Sequence, residues 1–398
     1  MSALIPVGKS DNFEVMPPQL PVTETLSFQQ FCRAEEAWNA LALSVAAPVP
    51  FMTHPWIRLW WKHFGEGQEF LAVVVRDGET MLGAVPLAIR RAGPGLELAE
   101  VVGTGPVPTR GMGLADKADF LVHEGQRQVG ELLVAEVAKL LDRVDVLDIK
   151  GLDTASGTRA NLEAAGNARQ FRRSVSPYLT LSTSWDEYSR TRSRNFRKHL
   201  KKYWRLLEQA GTLEVSRMEP GDDVAVWMND VFAVNDVSWK AERGTNLFRS
   251  PEIRDFFFEL VPAMMAHGWI DLQAIRLDGK LAVYELCFDY GGKLFSYNGA
   301  YRAELGQGSP GTALTAAVIE SACGRGRSEY DMLRGAESYK LRWSETSRSQ
   351  LQLLLPANRT AARIKTSLGP ALKARLKQWP WLTEQVDRLS GLLSRRRY

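Results

Sequence analysis

Between Arg302 and Thr312 the chain reads Arg-Ala-Glu-Leu-Gly-Gln-Gly-Ser-Pro-Gly-Thr, three glycines crowded against a helix start. Gly306, Gly308 and Gly311 let backbone approach a ligand closely. Ser309, Pro310, Gly311 and Thr312 open a helix whose first-turn N–H groups attract phosphate. No Gly-Lys-Ser/Thr follows, so this is not a Walker loop, and it is not a G-x-G-x-x-G turn after the first strand of a nucleotide-binding fold. An ordinary strand-to-helix connection could carry the same glycines. Two carboxylates stand in apolar company. Glu285 interrupts the run Val283-Tyr-Glu-Leu-Cys-Phe288, where a charge costs free energy unless it is paired or faces a cleft. It is the candidate general base. Alternation puts it on one face with Val283 and Cys287. Asp331 lies beside Met332 and Leu333, and a structural pairing with Lys340 or Lys240 competes with a catalytic part.

These residues need elements to hold them. Trp56, Trp60 and Phe64 recur at helical spacing, which predicts a short helix from Pro55 to Phe64. Glu69 to Val75 and Met81 to Ile89 flank Asp77-Gly78, a hairpin signal. A helix over Gly130 to Leu141 and a strand over Val144 to Ile149 follow. The second half repeats the theme. A Ser184 cap opens one long helix from Trp185 to Gln209, stopped by Gly211. Helices from about Asp223 to Val234 and Pro251 to His267 precede a second hairpin, Asp271 to Leu277 and Leu281 to Tyr290, around Asp278-Gly279. Strand Leu294 to Gly299, the glycine-rich loop, a helix from Thr312 to Cys323 and strand Glu329 to Leu333 complete it. The two Asp-Gly turns sit inside similar strand pairs, so a duplicated α/β module is expected.

The 398 residues, 45% hydrophobic and 24% charged, are the composition of a globular protein of two to three domains. No apolar run reaches the length of a membrane span, and the N-terminus has no signal-peptide pattern. Three scattered cysteines and five histidines without H-x-x-x-H spacing argue against disulfides and a zinc site, and fit a reducing cytoplasm. The net charge of +4 is uneven: residues 361–398 carry nine Lys/Arg against two Asp/Glu. A second block, Arg190 to Arg205, holds eight Lys/Arg and no acid. Such blocks are solvated helix faces, or they meet a polyanion or an anionic membrane.

The strand pair, third strand, R-x-x-x-G-x-G loop and helix resemble the acyl-CoA-binding core of the GNAT N-acyltransferases. The chain is most similar to their tandem-domain CelD-like subfamily, related to the Fem-type aminoacyl transferases of peptidoglycan synthesis. The resemblance runs over roughly residues 50 to 345. It rests on Phe51, Pro55, Trp56 and Trp60 before Phe64-Gly65, and on Gly83-Ala-Val-Pro86-Leu87. Ser238-Trp239-Lys240 with Gly244-Thr245-Asn246-Leu247 follows, then Ser309-Pro310-Gly311. Tyr330-Asp331-Met332-Leu333-Arg334-Gly335, with Tyr339-Lys340 and Trp343, closes it. One residue more than usual separates Arg302 from Gly306, and Tyr301-Arg302 stands where the family often has Tyr-Asp.

The resemblance implies an α/β protein with two tandem GNAT-like domains, mixed central sheets flanked by helices. The expected division is a loose leader (1–25), an N-terminal GNAT-like domain (26–178), a C-terminal acyl-CoA-binding domain (179–358) and a basic amphipathic tail (359–398). It implies thioester aminolysis, with acetyl-CoA or a longer acyl-CoA as donor substrate and no permanently bound cofactor or metal. Arg302, Gly306, Gly308 and Ser309 to Thr312 would hold the donor. Tyr339 would protonate the leaving thiolate unless it is a packed aromatic, with Glu285, Asp331 and Lys340 as further candidates at the chemistry. Trp239 and Lys240 would shape the acceptor pocket. The acceptor class is an amine of a cell-envelope precursor, an exopolysaccharide amino sugar or a lipid amine. Aminoacyl transfer from aminoacyl-tRNA, with the Arg190 to Arg205 block on the tRNA, is an alternative, and a non-catalytic scaffold of a polysaccharide-synthesis complex is another; nucleic acid is otherwise not an expected partner. In the tail, Leu368, Leu372, Leu376 and Trp379, then Leu382, Val386, Leu389 and Leu393, predict two short helices among basic residues. They dock on the body or attach a cytoplasmic protein peripherally to an anionic inner leaflet.

Overall fold

The computed structural model describes residues 21–358, apart from 94, 109–112, 167 and 182–183. The predicted tail helices and most of the predicted leader lie outside the described residues. The first half contains β1 (Val22–Leu26), α1 (Phe28–Cys32), α2 (Glu35–Ser44), α3 (His54–Phe64), β2 (Glu69–Asp77), β3 (Thr80–Gly93) and β4 (Leu96–Val101). It continues through β5 (Leu121–Val122), α4 (Arg127–Lys139), β6 (Val146–Asp153), α5 (Gly157–Ala164) and β7 (Arg169–Thr180). The second half begins with α6 (Trp185–Thr191), α7 (Arg194–Ala210), β8 (Leu213–Arg217), α8 (Val224–Asp236), α9 (Trp239–Glu242) and α10 (Pro251–Met265). It ends with β9 (Ile270–Leu277), β10 (Lys280–Tyr290), β11 (Lys293–Tyr301), α11 (Pro310–Gly324), β12 (Glu329–Asp331), α12 (Ser338–Leu341) and β13 (Ser347–Pro356).

The strands form one mixed sheet in the order β1-β2-β3-β4-β6-β13-β7-β12-β11-β10-β9-β8, with β5 on β3. From either edge inward the pattern is the same. Antiparallel neighbours β1 to β4 match β8 to β11, and each run ends in a short parallel pair, β4 with β6 and β11 with β12. The duplication expected from the Asp-Gly turns is therefore present. Its closing strands are exchanged: β13 pairs β6 of the first module, β7 pairs β12 of the second, and β13 pairs β7.

Local chemistry explains most boundaries. Asp278 and Gly279 both take positive φ, 47° and 76°, as a tight hairpin turn of this hand requires. Gly83 is bare because a Cβ there would stand 2.5 Å from Val129 of α4. Two expectations are corrected. The helix foreseen from Trp185 to Gln209 is two helices: Arg192 is extended, and the Ser193 hydroxyl accepts from the Phe196 N–H (3.1 Å) to cap α7. Residues 22–25, read as part of the leader, form with Leu26 an edge strand on β2. The modules share an aromatic core, in which Trp56 of α3 meets Phe256 and Phe257 of α10, Phe288 of β10 and Tyr297 of β11.

Candidate active site

The sheet opens in the second module. β11 pairs with β12 only over Lys293–Phe295, opposite Glu329–Asp331. Beyond Asp331 the chain follows β7, with Met332 N–H on Pro177 and Gly335 N–H on Val175. Leu333 makes this turn at φ 56°. β11 instead continues to Tyr301 along β10. Leu286 faces Asn298 while Cys287 faces Ser296, so Tyr297 is the extra residue of a bulge beside the opening. Among the described residues no strand pairs β11 on its open side after Phe295, and Ser296 to Gly299 are half-buried there. Backbone edges of this kind can offer an N–H to a ligand carbonyl.

The loop after β11 is wound into a 3-10 turn over Ala303–Gly308, tighter than a flexible connection. Ser309 follows at φ 43°, an uncommon conformation for a side-chain-bearing residue, and Pro310 begins α11. The Arg302 guanidinium donates to the Leu281 carbonyl (2.8 Å) and ties the turn to β10. The Tyr301 ring flanks both Gly306 and Gly311, and Gly308 lies against Leu206 of α7. Thr312, in the first turn of α11, lines a cleft of about 540 Å³ with Arg192, Asn195, Phe196, His199, Tyr203 and Arg342 among its walls. Among the described residues the Arg342 side chain has no ion-pair partner. Of the residues predicted for the donor, Thr312 alone lines this cleft; the others build the turn beside it.

Glu285 lies on the face of the sheet under α11, 6% exposed. Its Oε1 accepts from Ser296 Oγ (2.8 Å) and from the Tyr330 hydroxyl, and its Oε2 from Thr315 Oγ1 (2.8 Å). The Cys287 thiol is 3.6 Å away. Burial pushes its pKa up, and the hydroxyls offset only part of that. Tyr339, in α12, is 49% exposed; desolvation, then Glu337 and Glu285, raise its pKa.

Asp331 is fully buried, and neither lysine named for it from the sequence is its partner. It pairs with Lys117 of the first half and with Arg348 of β13 (3.5 Å), and accepts from Leu333 N–H. The distance along the chain hid these partners. Lys340 is turned to the Arg334 carbonyl (2.9 Å) and to Glu337 (3.0 Å). Lys240 donates to the Gly299 carbonyl (2.6 Å) on the open stretch of β11, while Trp239 carries Arg243 over its ring at 5.1 Å. Trp239 and Lys240 thus sit at the opposite end of the opening from Asp331.

Sequence reasoning missed the cleft walls on α7 and Arg342, although the acid-free Arg190 to Arg205 block marked that helix. It also missed the segment of the first half that reaches the opening. Leu114 accepts from the Tyr297 hydroxyl (2.9 Å), and Asp116 pairs with Arg334 (2.8 Å). The same segment covers the matching parallel pair of the first module, with Ala118 N–H on the Gly151 carbonyl. Beneath it Glu100, 1% exposed, is held by Arg90 and Lys150. Burial raises the Glu100 pKa, but the two cations outweigh it and hold the carboxyl below its usual range. β4 and β6 pair only over Leu98–Glu100 and Val146–Asp148, and where they part the Lys150–Glu100 ion pair fills the opening.

Residues 194–341 match the family model described as the acetyltransferase (GNAT) domain. The matched span contains the opening, the turn and α11, and the class it defines is a GNAT-type acyltransferase. Among solved structures the chain is similar to FemX, at 12% identity and TM-score 0.61, over 86% of this chain and 99% of that one. A conserved protein of unknown function from Bacteroides thetaiotaomicron aligns at 10% identity and TM-score 0.53, over 81% and 97%. The C-terminal domain of a protein described as a lysylphosphatidylglycerol synthetase from Agrobacterium fabrum aligns at 11% and 0.53, over 84% and 95%. At these identities the likeness is one of fold. No curated protein sequence matches the chain.

Proposed function

We propose that the protein transfers an acyl group from acyl-CoA to a primary amine of a cell-envelope precursor, an exopolysaccharide amino sugar or a lipid amine. The order of motifs resembling the CelD-like subfamily supports this acceptor class. The observation that carries the reading is the opening between β11 and β12, beside a cleft that reaches the first turn of α11. A thioester lying in the opening meets the β11 edge, and its phosphates meet the N-terminus of α11. The amine nitrogen attacks the thioester carbon and the C–S bond breaks. Tyr339, whose raised pKa keeps it protonated, gives its proton to the thiolate. The amine proton passes through the Ser296 hydroxyl to Glu285, whose raised pKa suits a proton acceptor nearer neutrality. Trp239 and Lys240 border the acceptor side.

Acetyl-CoA and longer acyl-CoAs should raise the melting temperature of the full chain by mass action. Mass spectrometry of lipid and polysaccharide extracts from a deletion strain, compared with wild type, should show a missing N-acyl group. An unchanged melting temperature with every acyl-CoA would defeat the donor assignment; unchanged extracts would defeat the acceptor class.

A further inference from the structure

Helix α7 presents two unlike faces. Leu200 and Leu207 are buried, and Phe196, Tyr203 and Trp204 pack against the same core; Phe196 meets Trp343 edge-on at 4.9 Å. At 3.6 residues per turn, Arg194, Arg197, Lys198, Lys201, Lys202 and Arg205 fall on an arc of about 140° on the other side, along roughly 17 Å of helix. Five of the six are exposed and Arg197 is half-buried. None of the six makes an ion pair among the described residues. The density of unpaired charge sets this helix apart from the paired cations elsewhere, such as Arg217 of β8, Arg325 at the end of α11 and Arg348 of β13.

We propose that this face seats the protein on an anionic lipid bilayer. The occupant must be anionic. The C-terminal tail, with nine Lys/Arg against two Asp/Glu, is repelled by it, and so is α7 of a second copy. A single nucleic-acid strand is gripped by aromatic rings that stack its bases, and Phe196 and Tyr203 of α7 face the core and the cleft rather than the cations. A helix face of exposed cations suits a plane of headgroups, which needs no shape match. The outer face offers six cations, one acid near its C-terminal end (Glu208) and no large apolar side chain, so attachment is electrostatic, reversible and sensitive to salt. Ser193, Asn195 and Phe196, at the N-terminal end of α7, line the cleft, so a seated chain holds that cleft beside the surface.

The test is co-sedimentation of the full chain with vesicles of phosphatidylcholine alone and of phosphatidylcholine with equal phosphatidylglycerol. Pelleting is expected with the anionic vesicles at ~0.05 M salt, with release at ~0.5 M, where the Debye length is a few ångström. The variant Lys198→Gln/Lys201→Gln/Lys202→Gln/Arg205→Gln, tail intact, should bind anionic vesicles at least tenfold more weakly. The charge-keeping Lys198→Arg/Lys201→Arg/Lys202→Arg should bind as wild type. Full binding by the Gln variant would move the attachment to another part of the chain and overturn the proposal. So would loss of binding by the Arg variant, wild-type protein that ignores vesicles, or RNA that displaces it from them at equal phosphate.

Discussion

Tyr339 and Glu285 carry the sharpest expectations. Tyr339→Phe keeps the ring and removes the hydroxyl, so turnover should fall by roughly ten- to a thousandfold with donor affinity nearly unchanged. Because burial raises its pKa, Tyr339 should not add a descending limb to the pH–rate profile at moderately alkaline pH. Wild-type turnover in the mutant, measured where chemistry limits the rate, would leave Tyr339 a packed aromatic. Glu285 has a folded-state pKa above its ordinary value of 4.5, the reverse of a salt-bridged carboxylate. Between that value and the raised one the native state binds more protons than the unfolded chain, so this group makes stability fall as pH rises through the window. Glu285→Gln should flatten the dependence of melting temperature on pH from about 4.5 towards neutrality, while lowering turnover if Glu285 takes the amine proton. Melting curves across pH for both proteins check the first part, and steady-state rates the second.

At the scale of the element, the turn and first residues of α11 decide donor binding. A Cβ at Gly311 would lie 3.6 Å from the Tyr301 ring, an ordinary contact, so Gly311→Ala should bind acetyl-CoA much as wild type does. Gly311→Trp puts an indole in the first turn of α11 and should abolish binding without unfolding the chain. Calorimetry with CoA separates the two, and equal affinity in both would place the donor elsewhere. The loop was legible in the sequence because Ser-Pro-Gly before an apolar run is a local helix-start signal. The wound Ala303–Gly308 turn was not, since it depends on Arg302 reaching the β10 backbone and on α7 lying behind Gly308.

The strand exchange makes the molecule one cooperative unit. β13, from the end of the described chain, lies between β6 and β7, so a fragment ending at Thr180 leaves β6 with an unpaired edge. Scanning calorimetry of the full chain should show a single transition, and the fragment should aggregate. Lys117→Met removes one partner of fully buried Asp331 across the two halves. It should cost on the order of 3 kcal/mol, softened by the remaining Arg348, as judged by denaturant midpoints. Because the first module's opening is filled by its own ion pairs, titration with acetyl-CoA should give one site per chain. Two equal sites would refute the reading of that opening as closed.

The sequence alone determined what neighbours along the chain can decide. Both hairpins follow from Asp-Gly between apolar runs, and α3, α4, α8, α10 and α11 follow from helical spacing and their start signals. The repetition of those signals disclosed the duplicated module. Only the tertiary structure decided which strands close each module, because β13 and β7 choose partners by pairing across the sheet. It also decided which charges meet: Asp331 finds Lys117, 214 residues earlier, where proximity in sequence pointed to Lys340. Glu285 was legible as a carboxylate in an apolar strand, but its company of Ser296, Thr315 and Tyr330 comes from three other elements. A buried charge takes whatever partners the packed chain brings within reach, and one strand's residues do not specify them.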